Sequence, residues 1–219
     1  MTGWTAVVPV KRWALAKTRM VGGAQVREGL ARAFALDLIG VLGDVVGIDA
    51  LIIVTGEPEL GFVGRQVGAS VVEDRALPSA DPLNRAIDLG RSHAAVIRPR
   101  SPIVVVPADL PALTAHATDQ ALHKLAQVRS SFVPDESGAG TTLLAAAEPS
   151  LLRPAYGPGS ARLHAAQGAQ MVVDVDPRVR RDVDTVRDLQ EAVALGVGPR
   201  VRSIVEGLRA SPSGACATA

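Results

Sequence analysis

Lysine is almost missing from this chain. Lys11, Lys17 and Lys124 stand against twenty arginines, and two of the three fall inside one stretch, VVPVKRWALAKTRM, from Val7 to Met20. Cysteine is scarcer still. The one thiol, Cys216, sits in the terminal ASPSGACATA, so no intrachain disulfide can form and a reducing, cytoplasmic setting is expected. Aromatic residues make up 3%, which leaves Ala, Val, Leu and Ile to build the core from a 47% hydrophobic composition. Excess charge is absent too: the formal net charge is +1. That argues against a dedicated nucleic-acid binder, which carries a strong basic excess, yet it leaves room for a local basic site that takes a phosphorylated small molecule. The most membrane-like stretch, AFALDLIGVLGDVVGIDALIIV, is broken by Asp37, Asp44 and Asp49, each costly in lipid, so no membrane contact is expected. The apolar run at residues 4–10 is short and precedes Lys11, the wrong order for a signal peptide.

What is present reads as an α/β chain. At 219 residues a single α/β domain can bury roughly 70% of its unfolded surface and needs no staples. WTAVVPV reads as a strand, followed by a helix over about 25–46 with Leu30, Phe34, Leu38, Leu42 and Val45 at helical spacing. LIIVTG is a short continuous apolar run, the pattern of a strand covered on both faces. A helix over 59–67, the strand ASVVED, a helix over 81–95 and a second buried strand in PIVVVPADL follow. The remainder reads as a helix at 115–128, strands in SSFVPD and TTLLAAA, a short helix at 160–166, the strand MVVDV and a last helix over 185–195. Strands alternating with helices predict a mainly parallel, three-layer sheet. No internal repeat or domain-scale linker is visible. In such sheets the ligand lies beyond the carboxyl ends of the strands, and polar residues follow three of them: KRWALAKTRM, TGEPE and PADLPAL.

The opening loop contains neither GxxxxGK[ST] nor GxGxxG after its strand. It offers Lys11, Arg12, Lys17 and Arg19 beside Thr18, a set suited to a polyphosphate whose charge must be offset. Lysine brings a compact point charge where arginine would bring a planar fork. Asp109, between Pro107 and Pro111 after a buried strand, suits Mg²⁺, which takes one or two protein oxygens plus substrate phosphates. Its other role would be helix capping, for which Thr114 is better placed. Asp182 and Asp184 are two apart, so an extended segment turns both to one side. One is assigned to metal and one to capping the following helix with Thr185, and the spacing does not say which. Gly138, Gly140 and Thr141 in DESGAGTTLL, and Gly157, Gly159 and Ser160 in AYGPGSARLH, make a second pocket for phosphate or carboxylate, the last at a helix start where an anion can sit. Asn84 in DPLNRAI stands in the first turns of a helix, where an amide can read a nucleobase or ribose edge or simply face solvent. The four histidines, His93, His116, His123 and His164, show no metal spacing.

The strings VPVKRWALAKTRM, DPLNRAI, VVVPADLPAL, GAGTT, YGPGSARLH and RDVDT occur in an order that resembles the CofC/FbiD family, the 2-phospho-L-lactate or phosphoenolpyruvate guanylyltransferases of coenzyme F-420 biosynthesis. The resemblance covers about residues 5–198; Met20 stands where that family usually has leucine. It implies a Rossmann-like nucleotidyltransferase fold of the glycosyltransferase-A kind, over residues 1–198, with 199–219 as a C-terminal extension whose end is expected to be disordered. It implies Mg²⁺ as cofactor, and GTP plus a phosphorylated three-carbon acid as substrates: phosphoenolpyruvate, 2-phospho-L-lactate or 3-phosphoglycerate. On matched positions Lys11, Lys17 and Arg19 would hold the triphosphate as catalytic cations, and Asn84 would lie near the nucleoside. Asp109, Asp182 and Asp184 would hold metal, and Thr141, Gly157 and Ser160 the acid. The product would pass to the next enzyme of the pathway, and a homodimer is left open. Two other readings are a molybdenum-cofactor guanylyltransferase or sugar-phosphate uridylyltransferase, whose usual GGxGxR loop is missing here, and a non-catalytic nucleotide-binding domain, which would have lost its metal carboxylates.

Overall fold

The computed structural model describes residues 3–13, 23–75 and 79–210. Lys17 and Arg19 of the opening loop, and the terminal segment with Cys216, lie outside the described residues. The described chain carries a seven-stranded sheet in the order β3-β2-β1-β4-β6-β5-β7. The strands are β1 (Trp4–Val10), β2 (Ile48–Thr55), β3 (Ser70–Glu73), β4 (Ile103–Val105), β5 (Ser130–Pro134), β6 (Thr141–Ala146) and β7 (Gln170–Met171). The helices are α1 (Ala24–Gly43), α2 (Pro58–Gln66), α3 (Pro82–Ile97), α4 (Ala115–Leu125), α5 (Ser160–Ala166), α6 (Pro177–Arg180), α7 (Val186–Leu195) and α8 (Pro199–Ala210). Only β6 runs against its neighbours, antiparallel to both β4 and β5. The expected mainly parallel, mixed three-layer architecture is therefore the one present.

Strand β1 explains why its sequence is apolar without alternation. It pairs in parallel with β2 on one side and β4 on the other, Val7 facing Ile52 and Val105 across the two ladders. Its side chains then alternate between two cores. Ala6, Val8 and Val10 pack with α1, α2 and α4, through Leu38, Leu60 and Leu122. Val7 packs on the opposite face with Ile87 of α3 and Ala161 of α5. A strand buried on both faces has no solvent side to mark with polar residues.

Helix α1 is apolar nearly all round for a similar reason. Its C-terminal half lies on the sheet, while Leu30, Ala33 and Phe34 turn to a third cluster with Val183, Leu189, Val197 and Val201. Helix α8, absent from the expected elements, completes that cluster. Asp37 of α1 ties it down: the buried carboxylate accepts the N–H groups of Arg200 and Val201, each at 3.1 Å, and the Arg200 guanidinium at 3.1 Å. The acidic interruption of the apolar stretch is thus the cap of a helix more than 160 residues away.

Two expected boundaries shift. Helix α1 ends at Gly43, and β2 starts at Ile48 because its parallel pairing with β1 begins there. The expected strand MVVDV shortens to Gln170–Met171. Beyond it Asp174 is drawn to Lys124, and Asp176 accepts the Arg178 N–H at 2.9 Å to start α6, so the chain leaves the sheet.

Candidate active site

The parallel strands β1, β4 and β5 deliver their carboxyl ends to one edge of the sheet, and the reversed strand β6 starts there. A cleft of ≈ 680 Å³ opens at that edge. Lys11, the residue after β1, lines it, as do Asp109 beyond β4, Asp135 after β5, Thr141 at the start of β6, Gly157, Ser160, Asp182 and Asp184. Chain direction explains part of the convergence: Lys11, Asp109 and Asp135 follow strand ends and Thr141 starts a strand on the same side, while Gly157 and Ser160 arrive on the segment entering α5 and Asp182 and Asp184 on the segment between α6 and α7.

The carboxylates are held by backbone. The Asp109 carbonyl accepts the Val183 N–H at 3.0 Å, which brings the Asp182–Asp184 segment beside it. Val183 is fully buried in the third cluster, so the residues on either side of it turn to the cleft. Neither aspartate caps the following helix. Thr185 does, accepting the Asp188 N–H at 3.2 Å while the Asp188 carboxylate accepts the Thr185 N–H at 2.7 Å. Thr114 likewise caps α4, accepting from the Ala117 N–H at 3.2 Å, and Asp109 is left to the cleft.

Asp135 is a site residue that the sequence reading passed over inside SSFVPD. Arg180 donates to the carbonyls of Pro134 at 3.2 Å and Asp135 at 2.8 Å, fixing the end of β5. A Cβ on Gly140 would lie 2.5 Å from the Asp135 carboxylate, so glycine there makes space for this side chain. The available signal was the one used for Asp109, an acidic residue just past a buried strand.

The other three carboxylates raise the cost of ionising Asp182. Asp182 is pushed up to about 7, first by burial and then by the charges of Asp109, Asp135 and Asp184. Among the described residues no three acidic, histidine or cysteine side chains are gathered into a metal cage. Carboxylates gathered in one cleft without a closed cage fit a hard cation that completes its shell with phosphate oxygens, as Mg²⁺ does.

The cleft also has a neutral, hydroxyl-bearing wall, formed by Thr141 and Ser160. Ser160 Oγ lies 3.2 Å from Thr141 Oγ1, which lies 2.9 Å from His164 Nδ1. Gly157 and Gly159 hold φ of 138° and 73°, values that glycine adopts without a Cβ clash, and they bend the chain around this wall. The start of α5 is not free to receive an anion. Its N–H groups at Ser160, Ala161 and Arg162 already donate to the carbonyls of Gly157, Ala139 and Gly159. Tyr156 closes the floor; burial and the charge of Asp109 push its phenol well above its ordinary value, so it stays protonated. Asn84 serves this loop. Its amide donates to the Tyr156 carbonyl at 2.8 Å and accepts the Tyr156 N–H at 2.9 Å, with a further bond to Asp81 at 2.5 Å. Both atoms expected to read a nucleoside are engaged inside the protein.

On the cationic side, the Trp13 N–H donates to Glu57 at 2.8 Å, which holds Trp13 beside the segment that follows β2. Lys11 stands exposed at the cleft edge.

Residues 4–214 match the family model described as guanylyl transferase CofC like. The chain is 41% identical over 201 residues to the phosphoenolpyruvate guanylyltransferase of Streptomyces scabiei, covering 90% of this chain and 93% of that protein. It is 40% identical over 214 residues to the enzyme of the same name from Thermomonospora curvata, covering 97% and 92%. A crystal structure of a nucleotide-diphospho-sugar transferase-like protein from Desulfovibrio desulfuricans superposes with a TM-score of 0.68 at 17% identity, covering 96% of each chain. That of 4-diphosphocytidyl-2C-methyl-D-erythritol synthase gives 0.59 at 12% identity, covering 89% of this chain and 99% of the other; both likenesses concern the fold.

Proposed function

The chain belongs to the family of CofC-like guanylyl transferases and is a guanylyltransferase; from that premise we propose that it transfers GMP from GTP to phosphoenolpyruvate, or to the related 2-phospho-L-lactate, in coenzyme F-420 biosynthesis. The observation that supports the acceptor assignment is that four carboxylates and the hydroxyls of Thr141 and Ser160 line one cleft. A phosphorylated carboxylic acid between them presents phosphate to the acidic, metal-binding side and a second anionic group to Thr141, Gly157 and Ser160.

Asp109, Asp182 and Asp184, with Asp135 beside them, would hold Mg²⁺. Bound there, the metal supplies charge neutralisation for the phosphates. A phosphate oxygen of the acid forms a bond to the α-phosphorus of GTP as the bond from that phosphorus to the bridging oxygen of the leaving diphosphate breaks. The acceptor phosphate is anionic at neutral pH and needs no general base, so the protein contributes alignment and charge. Lys11 offsets charge on the diphosphate. Lys17 and Arg19 have the same proposed role, from the family resemblance. Mobile ammonium groups can follow the phosphates as charge moves to the leaving group, which accounts for lysine in a chain that otherwise avoids it.

The test is incubation with GTP, Mg²⁺ and each of phosphoenolpyruvate, 2-phospho-L-lactate and 3-phosphoglycerate, with products read by mass spectrometry. The expected result is a guanosine diphospho-acid with one of the first two. Diphosphate release from GTP that is the same with and without any acid would reject the reading. Asp109→Asn keeps the shape of the side chain and should abolish most turnover, with partial recovery in excess Mg²⁺. Ser160→Ala removes a hydrogen bond to a charged group, worth about 1.5–3 kcal/mol, and should raise the apparent KM for the acid while that for GTP changes little.

A further inference from the structure

Behind the hydroxyl wall lies a histidine that the reading above does not use. His164 on α5 is fully buried. It sits between the rings of Phe132 and Tyr156, with centroids 5.8 and 5.3 Å away. Its two ring nitrogens have different partners. Nε2 accepts the backbone N–H of Ala155 at 3.0 Å. A backbone N–H can only donate, so Nε2 must present its lone pair. Burial lowers the ring to about 4, so it is neutral at ordinary pH. A neutral imidazole carries one proton, and with Nε2 occupied as acceptor that proton is on Nδ1. Nδ1 faces Thr141 Oγ1 at 2.9 Å, and the threonine oxygen therefore accepts.

The consequence reaches the cleft. Thr141 and Ser160 share one further hydrogen bond at 3.2 Å. If Thr141 donates to Ser160, the Ser160 proton is left over; if Ser160 donates, the Thr141 proton is. In both arrangements the pair keeps one O–H with no partner within the triad. Were the imidazole in its other tautomer, Thr141 would have to donate to Nδ1, Ser160 could donate to Thr141, and the pair would have no spare proton.

We infer that His164 is a positioning residue for the acceptor acid: by donating from Nδ1 to Thr141 it leaves the Thr141–Ser160 pair one O–H donor to offer an anionic oxygen of the substrate. The inference rests on the reading that the acid occupies this wall. It gives the wall a chemical preference for carboxylate or phosphate oxygen over a group that must itself donate.

The test begins with the free wild-type enzyme. Long-range ¹H–¹⁵N NMR of the histidine side chains should show His164 protonated on Nδ1 alone from pH 6 to 8, and protonation on Nε2 would overturn the inference. Steady-state kinetics follow. His164→Leu should raise the acid KM about tenfold with the GTP KM within about twofold. His164→Asn, whose amide N–H can stand where Nδ1–H stood, should recover most of that loss. Adding His164→Leu to Thr141→Val should cost nothing more, because the histidine acts through the threonine. Additive losses, a parallel rise in both KM values, or an asparagine variant as impaired as the leucine one would each assign His164 a merely structural role. Should His164→Leu not fold, the NMR measurement and the asparagine variant decide the matter. Failure of the underlying reading looks different: wild type would then form no GMP–acid product, which removes the acid from this wall and the inference with it.

Discussion

Asp182 and His164 titrate with opposite consequences, and each is set by its immediate neighbours. Asp182 is raised to about 7 by burial and by Asp109, Asp135 and Asp184. Folded, it keeps a proton that the unfolded chain has lost, so metal-free stability should fall as pH rises from the ordinary carboxylate range through about 7. His164 is lowered to about 4 by burial. The unfolded chain takes up a proton there first, so stability should fall as pH drops from about 6.5 toward 4. Melting temperatures measured against pH in chelator should show this as two limbs. Asp182→Asn should flatten the alkaline limb and make the metal-free protein more stable at pH 8, while abolishing activity. His164→Asn should flatten the acid limb. An Asp182→Asn variant no more stable than wild type at pH 8 in chelator would mean that the carboxylates do not repel as described. Lys11 makes the complementary case. A unit charge about 4 Å from a phosphate is worth roughly 4 kcal/mol at an effective dielectric near 20, so Lys11→Ala should slow turnover by up to about 10³ in a protein of unchanged melting temperature.

Among the elements, α8 illustrates how a short polar contact recruits a helix to a core. Its sequence, PRVRSIVEGLRA, is strongly polar, and of its residues only Val201 is fully buried. The anchor lies on α1, where Asp37 satisfies the first N–H groups of α8 and the Arg200 side chain. A Cβ on Gly198 would lie 2.4 Å from the Asp37 carboxylate, so that glycine permits the approach. Asp37→Ala should leave two N–H groups without their acceptor and lower stability by about 1–3 kcal/mol, read as the midpoint in a urea titration. Truncation after Val197 should cost more, because it uncovers Leu30 and Phe34 as well as removing Val201. An unchanged midpoint in the truncated chain would show α8 to be an appendage. Because Ala31 of α1 lines the cleft, loss of α8 should also impair activity.

At the scale of the molecule, the mixed sheet is what makes one cleft from residues spread between positions 11 and 184. Six strands run one way, so their carboxyl ends share an edge, and the reversed β6 adds its first residue to the same edge. A ligand that spans the cleft ties together segments that follow several different strands. It should therefore stabilise the whole domain, by about 2.7 kcal/mol at a concentration one hundred times its dissociation constant. GTP with Mg²⁺ should raise the melting temperature by roughly 5–10 °C at that saturation, and Asp109→Asn should remove most of the shift. Among the described residues no helix is long and apolar enough to cross a membrane.

The amino-acid order by itself determined the alternation of strands and helices, because runs such as WTAVVPV and LIIVT have no length for a helix and no polar face for an exposed strand. It also favoured Thr114 over Asp109 as the cap of α4, which the structure bears out. Its motif order matched the family through Lys11, Asp109, Thr141, Ser160 and Asp182. Partners distant in sequence were decided only by the tertiary structure. Asp135 had the same local mark as Asp109, an acidic residue just past a buried strand, but only the fold sets it beside Asp182; nothing local marks Asn84 as the tie of the Tyr156 loop or Asp37 as the cap of α8. The direction of the His164 hydrogen bonds depends on an Ala155 N–H that only the fold places against Nε2. Periodicity records which face of an element is apolar; which polar atom meets which is a matter of three-dimensional approach, and a hydrogen bond's donor is chosen by that approach.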